Sequence, residues 1–102
     1  MNQLAHTIKQ LLALRKLQYN WDSYKALPIN EVNILNAIDL SVKLTDCGMP
    51  TPHVNPVPDG TVLLDWGSLD VYVSDHIEWC TDYLEGYEEL TGWDRIVSLL
   101  TQ

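Results

Sequence analysis

A chain of 102 residues, 46% hydrophobic and carrying four Trp and five Tyr, is apolar enough to fold and too short for two independent domains. Its formal net charge of -8 is unevenly spread: residues 1–50 hold five bases against four acids, a net of +1, whereas residues 51–102 hold ten acids against Arg95 alone, a net of -9. An acidic half of this kind excludes direct binding of nucleic acid or anionic membrane, since both draw on Lys and Arg.

The apolar runs fall short of the roughly 18–20 residues that a membrane-spanning helix needs. Lys9, Arg15 and Lys16 are interleaved with leucines rather than gathered ahead of an apolar stretch, as a signal segment would have them. The expectation is a single cytoplasmic domain over 1–102. Cys47 and Cys80 lie outside any paired motif, so both are expected as reduced thiols.

From Asn2 to about Tyr19, Leu4, Ile8, Leu11, Leu12 and Leu14 or Arg15 recur at three-and-four spacing with Leu17 on the flank, which predicts an amphipathic helix. NWDSYKALP, residues 20–28, breaks that period with turn-forming residues and a proline that disfavours helix at Leu27. Two readings apply to it. In one, Trp21 and Tyr24 cap the end of the core and Asp22 satisfies nearby backbone amides or a ring N–H. In the other, Trp21, Asp22 and Tyr24 form an exposed recognition knob.

Asn30 is a helix N-cap with Glu31 at the positive end of the helix dipole. Ile34, Ala37, Ile38, Ser41 and Val42 continue an apolar stripe, with Leu35 and Leu44 beside it, until Gly48 and Pro50 end the helix. MPTPHVNPVPDG, with four prolines, suits an edge strand over His53 to Val57 followed by a turn at Pro58-Asp59-Gly60.

The stretch from Thr61 to Tyr83 alternates apolar and polar residues with period two, which predicts a sheet with one covered and one wet face. A two-residue loop at Gly67-Ser68 places Val62, Leu64, Trp66, Leu69, Val71 and Val73 on the covered side. Ile77, Trp79, Thr81 and Tyr83 join them only if the next loop has an odd length, namely Ser74-Asp75-His76, with His76 near the left-handed region. Asp65, Asp70, Tyr72, Glu78, Cys80 and Asp82 then share the open face. LEGYEEL reads as an acidic linker or helical turn. Thr91 with Asp94 resembles a capping box ahead of Trp93, Ile96, Val97 and Leu100 at helical spacing. The expected architecture is two-layer α+β: two N-terminal helices on a three- or four-stranded antiparallel meander, then a short C-terminal helix.

NWDSYKALPIN (20–30) and PTPHVNPVPDGTVLLDW (50–66) resemble a group of small bacterial and phage-borne proteins with W-D-x-Y-x-A-x-P and P-x-P-x-V-x-P-x-P-D-G-x-V-x-L-x-W stretches. The resemblance covers about half the chain. It implies this order of elements and an origin in bacteria or their mobile elements, and it implies no activity.

Cys47, His53, His76 and Cys80 offer soft metal ligands, but C-x5-H and H-x3-C lack the close pairing of a structural zinc site, so neither metal nor cofactor is expected. Cys80 with a histidine lacks a glycine elbow or helix start to form an oxyanion hole, so a non-enzyme is expected. The acids of the open face read either as a solvated, aggregation-resistant surface or as a dock for a basic protein, with Tyr72 as anchor. The leading expectation is a small acidic binding module that occupies a basic surface, including one that itself binds nucleic acid. In a bacterial or phage setting this becomes an inhibitor of a defence or toxin protein. One alternative is an accessory subunit or homo-oligomer, a homodimer included, packing through exposed Trp21, Tyr24 and Trp93; another is a hydrolase using carboxylates or Cys80.

Overall fold

The computed structural model describes residues 3–102, so a helix start at Asn2 lies outside the described residues. Helix α1 runs Gln3–Ala13 and tightens into a single 3-10 turn, Leu14–Lys16, before the chain extends at Leu17. Helix α2 is Glu31–Asp46. Five strands follow, β1 His53–Pro56, β2 Val62–Asp65, β3 Asp70–Val73, β4 Ile77–Cys80 and β5 Glu85–Glu88, and helix α3, Trp93–Leu100, closes the chain. The strands form one antiparallel sheet in sequence order.

The α+β meander with its two N-terminal helices and short C-terminal helix therefore stands, with five strands in place of three or four. The added strand is β5, inside the segment read as a linker. Glu85, Gly86 and Glu88 carry no apolar alternation, so the pairing of β5 with β4 is set by tertiary packing rather than by pattern.

The predicted registers of the central hairpins hold. Trp66 N–H donates to Leu69 C=O at 2.9 Å across Gly67-Ser68, and Leu64 pairs with Val71. Val73 pairs with Ile77 across Ser74-Asp75-His76, an odd loop, so Ile77 and Trp79 share the buried face of Val71 and Val73. His76 is not left-handed, however: the non-glycine residues at positive φ are Asn20, Ser23 and Lys25, and the loop closes by Ser74 N–H donating to His76 C=O at 3.0 Å. Strand β4 stops at Cys80 rather than reaching Tyr83. Thr81 N–H bonds Leu84 C=O at 2.7 Å, turning the chain through Asp82 and Tyr83, and Tyr83 is 93% exposed rather than covered.

Both ends of α2 are defined by local chemistry. Asn30 Oδ1 accepts from Val32 N–H at 2.8 Å. At the other end Gly48 N–H bonds Thr45 C=O at 2.9 Å and Met49 N–H bonds Leu44 C=O at 3.0 Å, a Schellman closure. Helix α3 has no matching side-chain cap. Its N-cap is Gly92, and Asp94 Oδ1 takes Arg95 N–H, so Thr91 and Asp94 do not form a capping box.

Leu11, Leu14, Ile34, Ala37, Leu40 and Leu44 from the helices, with Ile96 from α3, cover Val62, Leu64, Val71, Val73, Ile77 and Trp79 in one core. Each large aliphatic side chain buried this way contributes about 1.5–3 kcal/mol. The α1 stripe is rotated from expectation, with Thr7 buried beside Leu11 and Leu14 while Leu12 and Arg15 face water; in α2 Ile34, Ala37 and Ser41 are buried as expected and joined by Leu40, while Leu35 is exposed. Two asparagines pin α2 to the sheet, Asn33 Nδ2 donating to Gly60 C=O at 3.0 Å and Asn36 Nδ2 to Ser74 C=O at 2.8 Å.

Candidate binding face

Because the helices cover one side of the sheet, residues of opposite parity meet on the other. The registers set His53, Asp65, Asp70, Cys80 and Glu85 in one row across all five strands. Asn55, Leu63, Tyr72, Glu78 and Tyr87 form the row beside it. Asp65, Asp70, Tyr72, Glu78 and Cys80 are thus brought onto one face as expected. Asp82 belongs to the β4–β5 turn rather than to a strand, though its charge still acts on Asp70.

The Asp65–Asp70 pair is the electrostatic centre of this face. Trp66 and Leu69 are the hydrogen-bonded pair that closes the hairpin, so Asp65 and Asp70 form the next, non-hydrogen-bonded pair, where cross-strand side chains approach closest. Partial burial, then the facing Asp65 carboxylate, hold the Asp70 carboxyl above its ordinary range. The same burial, then Asp70 and Glu85, push the Cys80 thiol up, and burial followed by Asp70 does the same to the Tyr72 phenol. Asp65 Oδ1 accepts Gly67 N–H at 2.6 Å, which holds its carboxylate at the hairpin.

No Lys or Arg offsets these carboxylates. Among the described residues the Lys and Arg ion pairs are Arg15–Glu31 and Lys43–Asp39, both on the helical side of the chain. Arg95, the only base after residue 50, sits on the covered side, its Cζ 5.5 Å from the Trp79 ring centroid. That ring lies against Gly86, and its Nε1 donates to Glu88 Oε2 at 3.1 Å.

Sequence reading missed β5, and with it Glu85 and Tyr87. They complete an open cleft of about 540 Å3, whose walls and floor include Tyr72, Glu78, Cys80, Glu85 and Tyr87. The His76 ring stacks on Tyr87 with centroids 4.7 Å apart and an interplanar angle of 22°. His76 Nδ1 lies 2.7 Å from Asp75 Oδ1 and its Nε2 3.6 Å from Glu78 Oε1. The Asp75 hydrogen bond, more than Glu78, raises the affinity of the imidazole for its proton.

The Trp21, Asp22 and Tyr24 group lies elsewhere, and the structure divides it. Trp21 packs on the core and donates Nε1–H to Leu27 C=O at 2.7 Å. Asp22 Oδ1 accepts Tyr24 N–H at 2.8 Å and Ala26 N–H at 3.0 Å, the backbone role expected of it. Tyr24 caps nothing, being 87% exposed. Trp93 also packs against the core, so of Trp21, Tyr24 and Trp93 only Tyr24 is openly exposed. This loop also docks on the β1–β2 turn: Leu27 N–H bonds Pro58 C=O at 2.8 Å and Asn30 N–H bonds Gly60 C=O at 3.0 Å. A Cβ on Gly60 would sit 3.1 Å from Pro28 C=O, at a φ of +92° that side chains rarely adopt. Residues 27–30 and 58–60 of the two stretches therefore meet in one junction.

The candidate metal ligands stay apart. Cys47 caps α2, His53 is on β1, His76 is in a loop and Cys80 is on β4, and among the described residues no three His, Cys, Asp or Glu side chains are grouped to hold a metal ion. No described helix is long and apolar enough to cross a membrane.

Fold and face together define a two-layer α+β protein with helices on one side of its sheet and an uncovered, acidic second side. Comparison with protein-family models, curated protein sequences and solved structures found no match.

Proposed function

We propose that this chain is a non-enzymatic binding module whose open sheet face docks a basic surface of another protein. The observation that supports it is the Asp65–Asp70 pair. Two carboxylates meet at the closest cross-strand spacing, one of them partly withdrawn from water, with no Lys or Arg among the described residues paired to them. Like charges so placed destabilise the sheet, and a cationic partner would offset that cost. Tyr72, beside Asp70, supplies apolar area at the centre, and Glu78 and Asp82 extend the field that steers the partner in. Where the partner's basic surface serves nucleic acid, this face competes with phosphate for the same Lys and Arg. That is the action of an inhibitor, and in a bacterium or phage a defence or toxin protein is the target class.

Asp70→Lys with Glu78→Lys is expected to leave the circular dichroism spectrum unchanged and to abolish capture of the basic partner from a lysate of the source cell. Capture at wild-type level by that variant would refute the proposal. Raising NaCl should weaken capture steeply, since the attraction is between exposed charges.

A further inference from the structure

The sheet has two edges, β1 and β5, and they are built differently. Backbone bonding alternates along an antiparallel strand, so one bonded pair fixes which residues face inward and which face out. Val57 N–H bonds Thr61 C=O at 3.1 Å across the β1–β2 turn, so Asn55 and His53 bond inward to β2 while Val54 and Pro56 face out. Pro56 has no N–H to offer, and neither has Pro52 just ahead of the strand. Proline at outward positions is a common protection of an edge against further pairing.

Strand β5 has no such protection. Thr81 N–H bonds Leu84 C=O at 2.7 Å, so Gly86 and Glu88 bond inward to Trp79 and Ile77 of β4. Glu85 and Tyr87 therefore turn their N–H and C=O groups away from the sheet, and none of the four has a partner among the described residues. Both residues are exposed. Two donors and two acceptors in strand geometry, on a segment without proline, are what an added strand requires.

Charge decides between occupants. Glu85 and Glu88 lie on β5 and Glu89 follows it, so a second copy of this chain would bring glutamates against glutamates with a net charge of -8 on each copy. Like charges across a strand pair oppose that arrangement, whereas an extended segment with Lys or Arg opposite Glu85 pairs opposite charges. The next residue but one of such a segment falls on the same face, against the exposed Tyr87 ring, where a cationic side chain also packs well.

We infer that β5 accepts an extended basic segment of a partner protein as a sixth strand, bonded through the backbone of Glu85 and Tyr87 with a cationic side chain opposite Glu85. The contact is separate from the Asp65–Asp70 pair, which lies on β2 and β3, and does not depend on what that pair binds.

The test is amide hydrogen exchange on 15N-labelled protein, alone and with an excess of the peptide acetyl-Thr-Lys-Val-Lys-Val-Thr-amide. In the free protein the Glu85 and Tyr87 amides should exchange at least about tenfold faster than those of Gly86 and Glu88, and the peptide should remove most of that difference. A peptide N-methylated at both lysines keeps its charges but loses the two N–H donors that face β5, and should bind about tenfold more weakly. Glu85→Pro deletes one outward N–H while leaving the β4–β5 bonds in place, and should abolish the peptide's protection of Tyr87 with the dispersion of the spectrum kept. Exchange at Glu85 and Tyr87 that the peptide leaves unchanged, or equal affinity for the N-methylated peptide, would overturn the added strand. Protection of the same two amides that grows with protein concentration in the absence of peptide, with a doubled mass by sedimentation, would overturn the basic partner in favour of a second copy.

Discussion

At neutral pH the Asp70 carboxylate faces Asp65 across a strand pair while partly withdrawn from water, and both conditions favour its protonated form. Its folded pKa is raised above the ordinary value of 3.8, so the folded protein binds this proton more tightly than the unfolded chain does. By linkage, stability from this group is fullest below 3.8 and is lost as pH rises through the higher folded value, leaving the whole penalty in force at pH 7. Asp70→Asn is therefore expected to raise the unfolding free energy at neutral pH by roughly 0.2–1 kcal/mol. The gain should shrink toward about pH 3, where the wild-type carboxyl is itself protonated. Urea unfolding at both pH values measures it, and an Asn variant less stable than wild type at neutral pH would contradict the account.

Among the elements, β5 is the one that completes the cleft and the one least marked in sequence. Its place depends on Gly86, which pairs with Trp79 beneath the covered face: a Cβ there would lie 2.4 Å from the indole Cζ2. Trp79 in turn bonds Glu88 and lies under Arg95 of α3, so one indole ties β4, β5 and α3 together. Gly86→Ala must displace that ring, and the expected loss is about 1–3 kcal/mol, the usual range for forcing an extra group into packed surroundings. Thermal or urea denaturation gives the value. A shift in the Trp79 indole N–H resonance should accompany it, and a neutral substitution would show that the ring is not held as described. By contrast α2 is marked at both ends, since its asparagine cap and its glycine closure each bond to backbone only a few residues away.

Over the whole molecule, charge is segregated by layer: the helices carry both signs, the open sheet face carries acids, and the lone Arg of the acidic half lies behind the sheet. Self-repulsion on that face should fall with ionic strength, because the screening length shortens to about 8 Å at 0.15 M salt. The isolated protein is thus expected to gain melting temperature between low salt and about 0.2 M NaCl, the range over which the proposed docking of a basic partner should weaken. Calorimetry and capture measured side by side check the opposed trends. Asp65→Asn with Asp70→Asn should flatten the stability trend, and an unchanged salt response in that variant would place the repulsion elsewhere.

Much of this fold was legible in the chain alone. The two long helices, the odd loop at Ser74 to His76 and the covered set from Val62 to Trp79 follow from periodicity, capping and turn residues, all of which act over a few neighbours. Those signals were enough to gather Asp65, Asp70, Tyr72 and Glu78 on one face. They did not extend to what depends on distant contact. The rotation of α1 that buries Thr7 and exposes Leu12 is set by the surface it packs on, and the division of Trp21 from Tyr24 follows from docking on the β1–β2 turn. Strand β5 exists because β4 and Trp79 supply its partner, since a four-residue acidic segment has no stripe of its own to bury. The sequence by itself determined that one sheet face is acidic. Only the tertiary structure brought Tyr87 and Glu85 beside Tyr72 and Glu78, because cross-strand neighbours are defined by pairing and not by spacing along the chain.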